Sequence, residues 1–227
     1  MRTDLEMEKQ LAAKEAVKFI ADNQIIGLGT GSTAYYAIIE IGKLISTGLK
    51  IKAVPTSLKT RHLAESLHIP LLDIAAVRSI DITIDGTDEF TEDLTLIKGG
   101  GGALFQEKMV ASITTLLIII ADSSKKVDTL GKFKLPIEVS CSACENVMNE
   151  IQSLNGSSEI RKSSDTAFLT DQGNYIIDAD FGLIENPVML SDKLNQIDGI
   201  VGHGLFINLA KKVIMGTNDS TVTFTTH

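Results

Sequence analysis

The stretch IDITIDGTDEFTEDLTLIKGGGGALFQEKMVASITTLLIIIA, Ile80 to Ala121, decides how this chain folds. Ile80, Ile82 and Ile84 alternate with Asp81 and Thr83, the two-residue period of a strand, and that strand ends at Asp85. Gly102 to Ile113 reads as a helix that starts on a run of glycines. Leu116 to Ala121 is an unbroken branched apolar run, which fits a parallel strand covered on both faces. Strand, helix and strand in that order make one crossover unit of a parallel sheet.

The same alternation runs upstream. Leu5, Leu11, Ala12, Ala16, Phe19 and Ile20 recur at helical spacing and predict an amphipathic helix over residues 4–21. Ile25 to Leu28 reads as a strand, followed by GTGST at Gly29 to Thr33 and a helix over Ala34 to Ile45. Ile51 to Val54 is a second strand, Ser57 opens another helix to about Leu67, and Ile69 to Leu72 reads as a short strand. The whole predicts an α/β fold: a doubly wound, mostly parallel sheet of Rossmann-like type. After Gly131 the character changes. Strands at Leu135 to Val139, Ser158 to Lys162, Ala167 to Thr170, Tyr175 to Asp178 and Gly199 to Val201 enclose helices at Cys141 to Leu154 and Pro187 to Leu194. That order predicts a smaller α+β, ferredoxin-like domain of the split-βαβ type over residues 129–205. Residues 1–128 plus 206–227 form the Rossmann-like domain, with the tail returning as one or two edge strands.

Composition narrows the function. Of 227 residues, 44% are hydrophobic and 22% charged, the balance of an ordinary globular protein. A net charge of −8 repels polyanions, and aromatics at 5% with no Trp offer little for stacking on bases, so nucleic acid is not an expected partner. The charged start MRTDLEMEKQ has no apolar signal core, and the longest apolar run, Leu116 to Ala121, is far short of the roughly 20 residues of a membrane span. A cytoplasmic protein with no membrane partner is expected. Cys141 and Cys144 form a lone CSAC with no second pair, and His62, His68, His203 and His227 lie far off in sequence. They read as two reduced thiols at a helix start, so no metal site is expected.

The chemistry gathers at strand ends. Gly27-Leu28-Gly29-Thr30-Gly31-Ser32-Thr33 lies between a strand and a helix, where open N–H groups and the helix dipole favour a phosphate. The dinucleotide pattern fails, because Ser32 stands at its last position and Val54-Pro55-Thr56-Ser57 supplies no acid after the second strand. A small phosphate ester fits better than a dinucleotide; a plain tight turn is the structural alternative. Asp85 and Asp88 follow the central strand, where ligands bind in open α/β sheets, although Asp-Gly also suits an ordinary turn. Lys98 precedes Gly99, Gly100, Gly101 and Gly102, a run whose entropic cost suits close backbone approach to a ligand. Spacing alone leaves Glu107 as an exposed helical glutamate, Lys125 as a solvated loop lysine or a phosphate partner, and Lys9 as a solvated helical lysine.

Taken together, GLGTGSTA, DGTDEF, IKGGGGALFQEK, ADSSKKVDTLGKFKLPIEV and VGHGLFINLA resemble the type A family of ribose-5-phosphate isomerases over about residues 5–220. The resemblance implies interconversion of ribose 5-phosphate and ribulose 5-phosphate without metal or organic cofactor, by a homodimer or homotetramer whose partner is a small sugar phosphate. Matched by motif, Glu107 corresponds to the general base, and Asp85, Asp88 and Lys98 to the other active-site groups. Thr30, Gly31, Ser32, Thr33, Gly86, Thr87, Gly99, Gly100, Gly101 and Lys125 correspond to substrate-binding positions, with Lys9 a looser match near the phosphate. Gly102 stands where some members carry Ala, a harmless change on this reading. In the implied enediolate mechanism Asp85 opens the furanose ring or shuttles the hydroxyl proton. Asp88 holds sugar hydroxyls or orients Lys98. The segment SLNGSSEIRKSSDTAF matches poorly and carries no assignment. A sugar-phosphate sensor or a CoA-transferase of similar fold is the alternative; an acidic chain with one helix in its first 25 residues disfavours a sensor, which usually carries a DNA-binding helix-turn-helix.

Overall fold

The structure, a computed structural model, describes residues 2–225. Met1, Thr226 and His227, at the ends of the expected Rossmann-like domain, lie outside the described residues. The strands are β1 (Ile25–Leu28), β2 (Lys52–Pro55), β3 (Ile80–Gly86), β4 (Glu89–Phe90), β5 (Leu96–Ile97), β6 (Thr114–Ala121), β7 (Leu135–Val139), β8 (Ser157–Ile160), β9 (Lys162–Ser163), β10 (Thr166–Ala167), β11 (Tyr175–Asp180), β12 (Ile200–His203), β13 (Leu205–Phe206), β14 (Lys212–Thr217) and β15 (Ser220–Thr225). The helices are α1 (Arg2–Ala16), α2 (Ser32–Ser46), α3 (Leu58–Ser66), α4 (Leu104–Ser112), α5 (Cys144–Ser153) and α6 (Pro187–Leu194).

The main sheet runs β15-β14-β6-β3-β1-β2, parallel throughout except for the antiparallel edge pair β14–β15. Side chains of a strand alternate between faces, and both faces here are apolar. On β6, Ile118 and Ile120 pack with Ala12, Ala13 and Ala16 of α1, whereas Leu117, Ile119 and Ala121 pack with Phe90, Phe206 and Val213 on the other side. Helices on both faces make the sheet doubly wound. The chain passes from β1 outward to β2, then crosses back to lay β3 on the other side of β1. Their carboxyl ends therefore diverge and leave a crevice between the loops that follow β1 and β3.

A second sheet runs β12-β7-β11-β8, antiparallel, with α5 and α6 as its connections, the order of a ferredoxin-like unit. Ile137, Val139, Val147, Ile151 and Ile177 form its core. Between the two sheets lies a three-stranded ribbon, β13-β5-β4.

Two predicted strands change. Ile69 to Leu72 forms only an isolated parallel bridge, Ala53 with Leu71, because Pro70 has no N–H to continue a ladder beside the edge strand β2. Ala167 to Thr170 does not run on to pair with Tyr175 as a ladder. Thr166–Ala167 folds back on Lys162–Ser163 instead, leaving a single Leu169–Tyr175 bridge.

Candidate active site

The loops after β1, β3 and β6 meet the glycine run before α4 in one cleft. Thr30, Gly31, Ser32, Thr33, Gly86, Thr87, Asp88, Lys98, Gly99, Gly100, Gly101, Glu107 and Lys125 line it. Groups spread over almost 100 positions of sequence thus share one cavity at the switch point of the sheet.

Lys98 leaves β5 and turns inward until its side chain is buried. Its Nζ lies 3.0 Å from Asp85 Oδ2 and 2.9 Å from Glu107 Oε1, and donates to the Gly86 carbonyl. The ring of Phe206 lies 5.4 Å from the ammonium. Glu107, in the first turn of α4, is buried too, so its position inside the fold overrides the exposed reading that spacing allowed. Asp85 is fixed from its other side. Its Oδ1 accepts from the N–H of Thr30 at 3.0 Å and of Gly86 at 2.7 Å. Gly29 makes this possible, since a Cβ there would overlap the Asp85 carboxylate. Asp88 does not touch Lys98. It faces the cleft and accepts from the Gly100 N–H at 2.7 Å. Asp85, not Asp88, therefore orients the lysine.

One ammonium between two buried carboxylates leaves an excess negative charge in a poor dielectric. Burial, the largest effect, pushes the Glu107 carboxyl up to about 8; the Lys98 charge pulls the other way, and Asp85 and Asp88 add to the rise. Burial also works against the Lys98 charge, but Asp85 and Glu107 outweigh it and hold the lysine above its ordinary range. The state this favours near neutrality is Lys98 charged, with Glu107 holding or releasing its proton close to working pH.

Opposite the carboxylates, Gly31 stands at the N-cap of α2 with φ 111°, a conformation glycine tolerates, and no side chain caps the helix. Ser32, Thr33 and Lys125 line the same cleft, and the first N–H groups of a helix have no acceptor within it. The Thr30 hydroxyl is engaged by those of Thr56 at 2.8 Å, Ser57 at 2.9 Å and Thr60 at 3.2 Å. Lys9 is not among the lining residues; its ammonium pairs with Glu6 at 2.6 Å. Gly102 has φ 78°, and a Cβ on it would stand 2.5 Å from the Phe168 ring, so Ala is not a harmless change in this chain. Sequence reading missed the Thr56–Ser57–Thr60 hydroxyls and also Arg161, which reaches the glycine run from the second sheet. The hydroxyls lay in view as the TS before a helix; Arg161 gave no signal.

The family profile described as ribose 5-phosphate isomerase A (phosphoriboisomerase A) matches residues 52–220. The chain belongs to the ribose 5-phosphate isomerase A family. Ribose-5-phosphate isomerase A of Bacillus cereus is 48% identical over 212 residues, 93% of this chain and 96% of the relative. That of Bacillus anthracis is 50% identical over the same shares. The ribose 5-phosphate isomerase structure from Plasmodium falciparum matches with a TM-score of 0.94 at 37% identity, covering 97% of this chain and 99% of that one. A D-ribose-5-phosphate isomerase in complex with phospho-erythronic acid also gives 0.94, at 38% identity and the same coverage. Members of this family are isomerases, and the chain is an enzyme of that class. No helix among the described residues is long and apolar enough to cross a membrane.

Proposed function

We propose that this chain interconverts D-ribose 5-phosphate and D-ribulose 5-phosphate through an enediolate, with Glu107 as general base and no metal. Family membership supports the substrate. The observation that carries the mechanism is the buried contact of Lys98 with both Asp85 and Glu107 at the floor of the cleft. The phosphate binds the free N–H groups at the start of α2, beside Ser32, Thr33 and Lys125. The open-chain aldose then lies with C1 and C2 over Glu107. The Glu107 carboxylate takes the C2 proton, and the electron pair moves into a C1–C2 double bond as the aldehyde oxygen becomes an oxyanion. The Lys98 ammonium stabilises that charge in a site largely closed to water. A proton passes from the C2 hydroxyl to the C1 oxygen while Glu107 returns its proton to C1, and the ketose results.

Asp88, on the cleft surface, is the better placed carboxylate for ring opening and for handling the hydroxyl proton. Asp85, held by two backbone N–H groups, keeps Lys98 in place. The relative solved with phospho-erythronic acid fits this reading. A phosphorylated sugar acid ends in a carboxylate whose planarity and negative charge on oxygen resemble those of the reacting end of an enediolate.

A coupled assay on ribose 5-phosphate tests the proposal. Turnover in the parent is expected, unchanged by EDTA. Glu107→Gln should lower kcat by about 10²–10⁴-fold, the range of a lost general base, with KM near that of the parent. Near-normal kcat in Glu107→Gln would remove the base role, and loss of turnover with EDTA would refute the metal-free reaction.

A further inference from the structure

Arg161 sits between β8 and β9, on the second sheet, in the segment to which sequence gave no role. Its Nε donates to Asp178 Oδ2 at 2.9 Å, and its Nη2 pairs with Asp178 Oδ1. Such a two-point grip fixes the plane of the guanidinium. The remaining Nη1 reaches across to the glycine run, where it donates to the carbonyls of Gly99 at 2.9 Å and Gly100 at 3.2 Å.

The carbonyl of one residue and the N–H of the next belong to one planar trans peptide and point opposite ways. The Gly99–Gly100 peptide is therefore held at both ends: its carbonyl by Arg161, and its N–H by Asp88 in the cleft. The next peptide has its carbonyl on Arg161, so the Gly101 N–H is turned away from Arg161, on the side of the lined cavity. A run of glycines has no side chains to fix these planes; a turn bond from the Gly102 N–H to the Gly99 carbonyl, 2.9 Å, closes the run on itself, and Arg161 and Asp88 add partners from outside it. Next to Arg161, the backbone N–H of Phe168 donates to the Arg161 carbonyl at 2.8 Å, and its ring stands over Gly102.

We propose that Arg161, locked by Asp178, is a positioning residue for the proposed isomerisation: it sets the peptide planes of Gly99 to Gly101, and through them the Asp88 carboxylate and the Gly101 N–H. The inference rests on the function proposed above. It touches neither the cradle at Ser32 and Thr33 nor Lys125, so binding of the phosphate is left to other residues. A misplacement of about 1 Å in such a site costs about 10²-fold in rate.

The test measures kcat and KM on ribose 5-phosphate, thermal melting, and amide exchange at Gly100 in the full chain. Arg161→Met should lower kcat about 10- to 100-fold with KM within about threefold of the parent, and should speed exchange of the Gly100 N–H. Asp178→Asn should move both readouts the same way by less. Arg161→Lys should restore part of the rate, since an ammonium reaches one carbonyl but has no fork to hold two partners. The proposal is overturned by a kcat within about twofold of the parent in Arg161→Met, by a loss that only follows the folded fraction, or by unchanged exchange at Gly100. Should the parent itself fail to turn over ribose 5-phosphate, the proposed function falls; the Gly100 exchange then still decides whether Arg161 holds the loop.

Discussion

Glu107 shows how burial turns an ordinary residue type into a tool. A free glutamate is almost wholly ionised at neutral pH and is a weak base. In the fold its carboxyl is raised to about 8, chiefly by burial, against the pull of Lys98. A stronger base results, at the cost of being ready in fewer molecules below that pH. The sign follows. The reaction needs ionised Glu107, so kcat/KM should rise about tenfold per pH unit on the acid side and level off above about 8. Lys98, held above its ordinary range, stays charged through that window and adds no limb. Lys108 is the neighbour that could imitate one, because burial brings its ammonium down to about 8. Its Nζ donates to the His203 carbonyl at 2.6 Å and lies 5.0 Å from the Phe206 ring that also faces Lys98, but it is Lys98 that pairs with Asp85 and Glu107. A pH-rate profile of Lys108→Met should therefore keep the rising limb. Loss of the limb in that variant would transfer the titration from Glu107 to Lys108.

At the scale of elements, the long parts of the fold were legible and the short ones were not. β3 and β6 declare themselves by alternation and by an apolar run, and both are placed as predicted to within two residues at their starts. β4, β5 and β13 have two residues each, too few to show a period, and β5 pairs with Leu205 and Phe206 from more than 100 positions away. The glycine run was legible as a place of close approach, but not what holds it. Arg161 lies in a segment of no pattern, and its partners at Gly99 and Gly100 are 62 and 61 residues off. Gly102 makes the same point as a testable case. Its φ of 78° costs a residue with a Cβ about 1–2 kcal/mol, and the Phe168 ring blocks the Cβ as well. Gly102→Ala should thus destabilise by more than the backbone cost alone. In a Phe168→Ala background, the same change should cost only the backbone part, and denaturant melts of the four proteins read the difference. Equal costs in both backgrounds would show that the ring yields freely.

The whole molecule is closed by its last strands. The chain leaves the main sheet after β6, builds the second sheet, and returns through β13 to lay β14 parallel against β6. β14 is buried on both faces: Ile214 packs with the alanines of α1, and Val213 and Met215 pack with Leu117 and Ile119. β15 is a largely exposed edge, whose main packing is Phe224 against Phe90, ring centroids 5.5 Å apart. The turn between them is pinned by Glu8 of α1, which accepts from the Asn218 N–H at 3.0 Å and from the Ser123 N–H, two residues before Lys125, at 2.8 Å. Two truncations should therefore behave very differently. A chain ending at residue 218 keeps β14 and the Glu8 contact, and should fold and melt cooperatively at a lower temperature. A chain ending at residue 211 loses three buried apolar side chains worth about 1.5–3 kcal/mol each, a sum close to the whole stability of a typical domain. It also leaves the β6 ladder open as an apolar edge, a template for aggregation. Circular dichroism and thermal melts compare them. A cooperative, parent-like melt from the shorter chain would mean that the sheet is complete without β14, and that the return of the chain serves something other than the core.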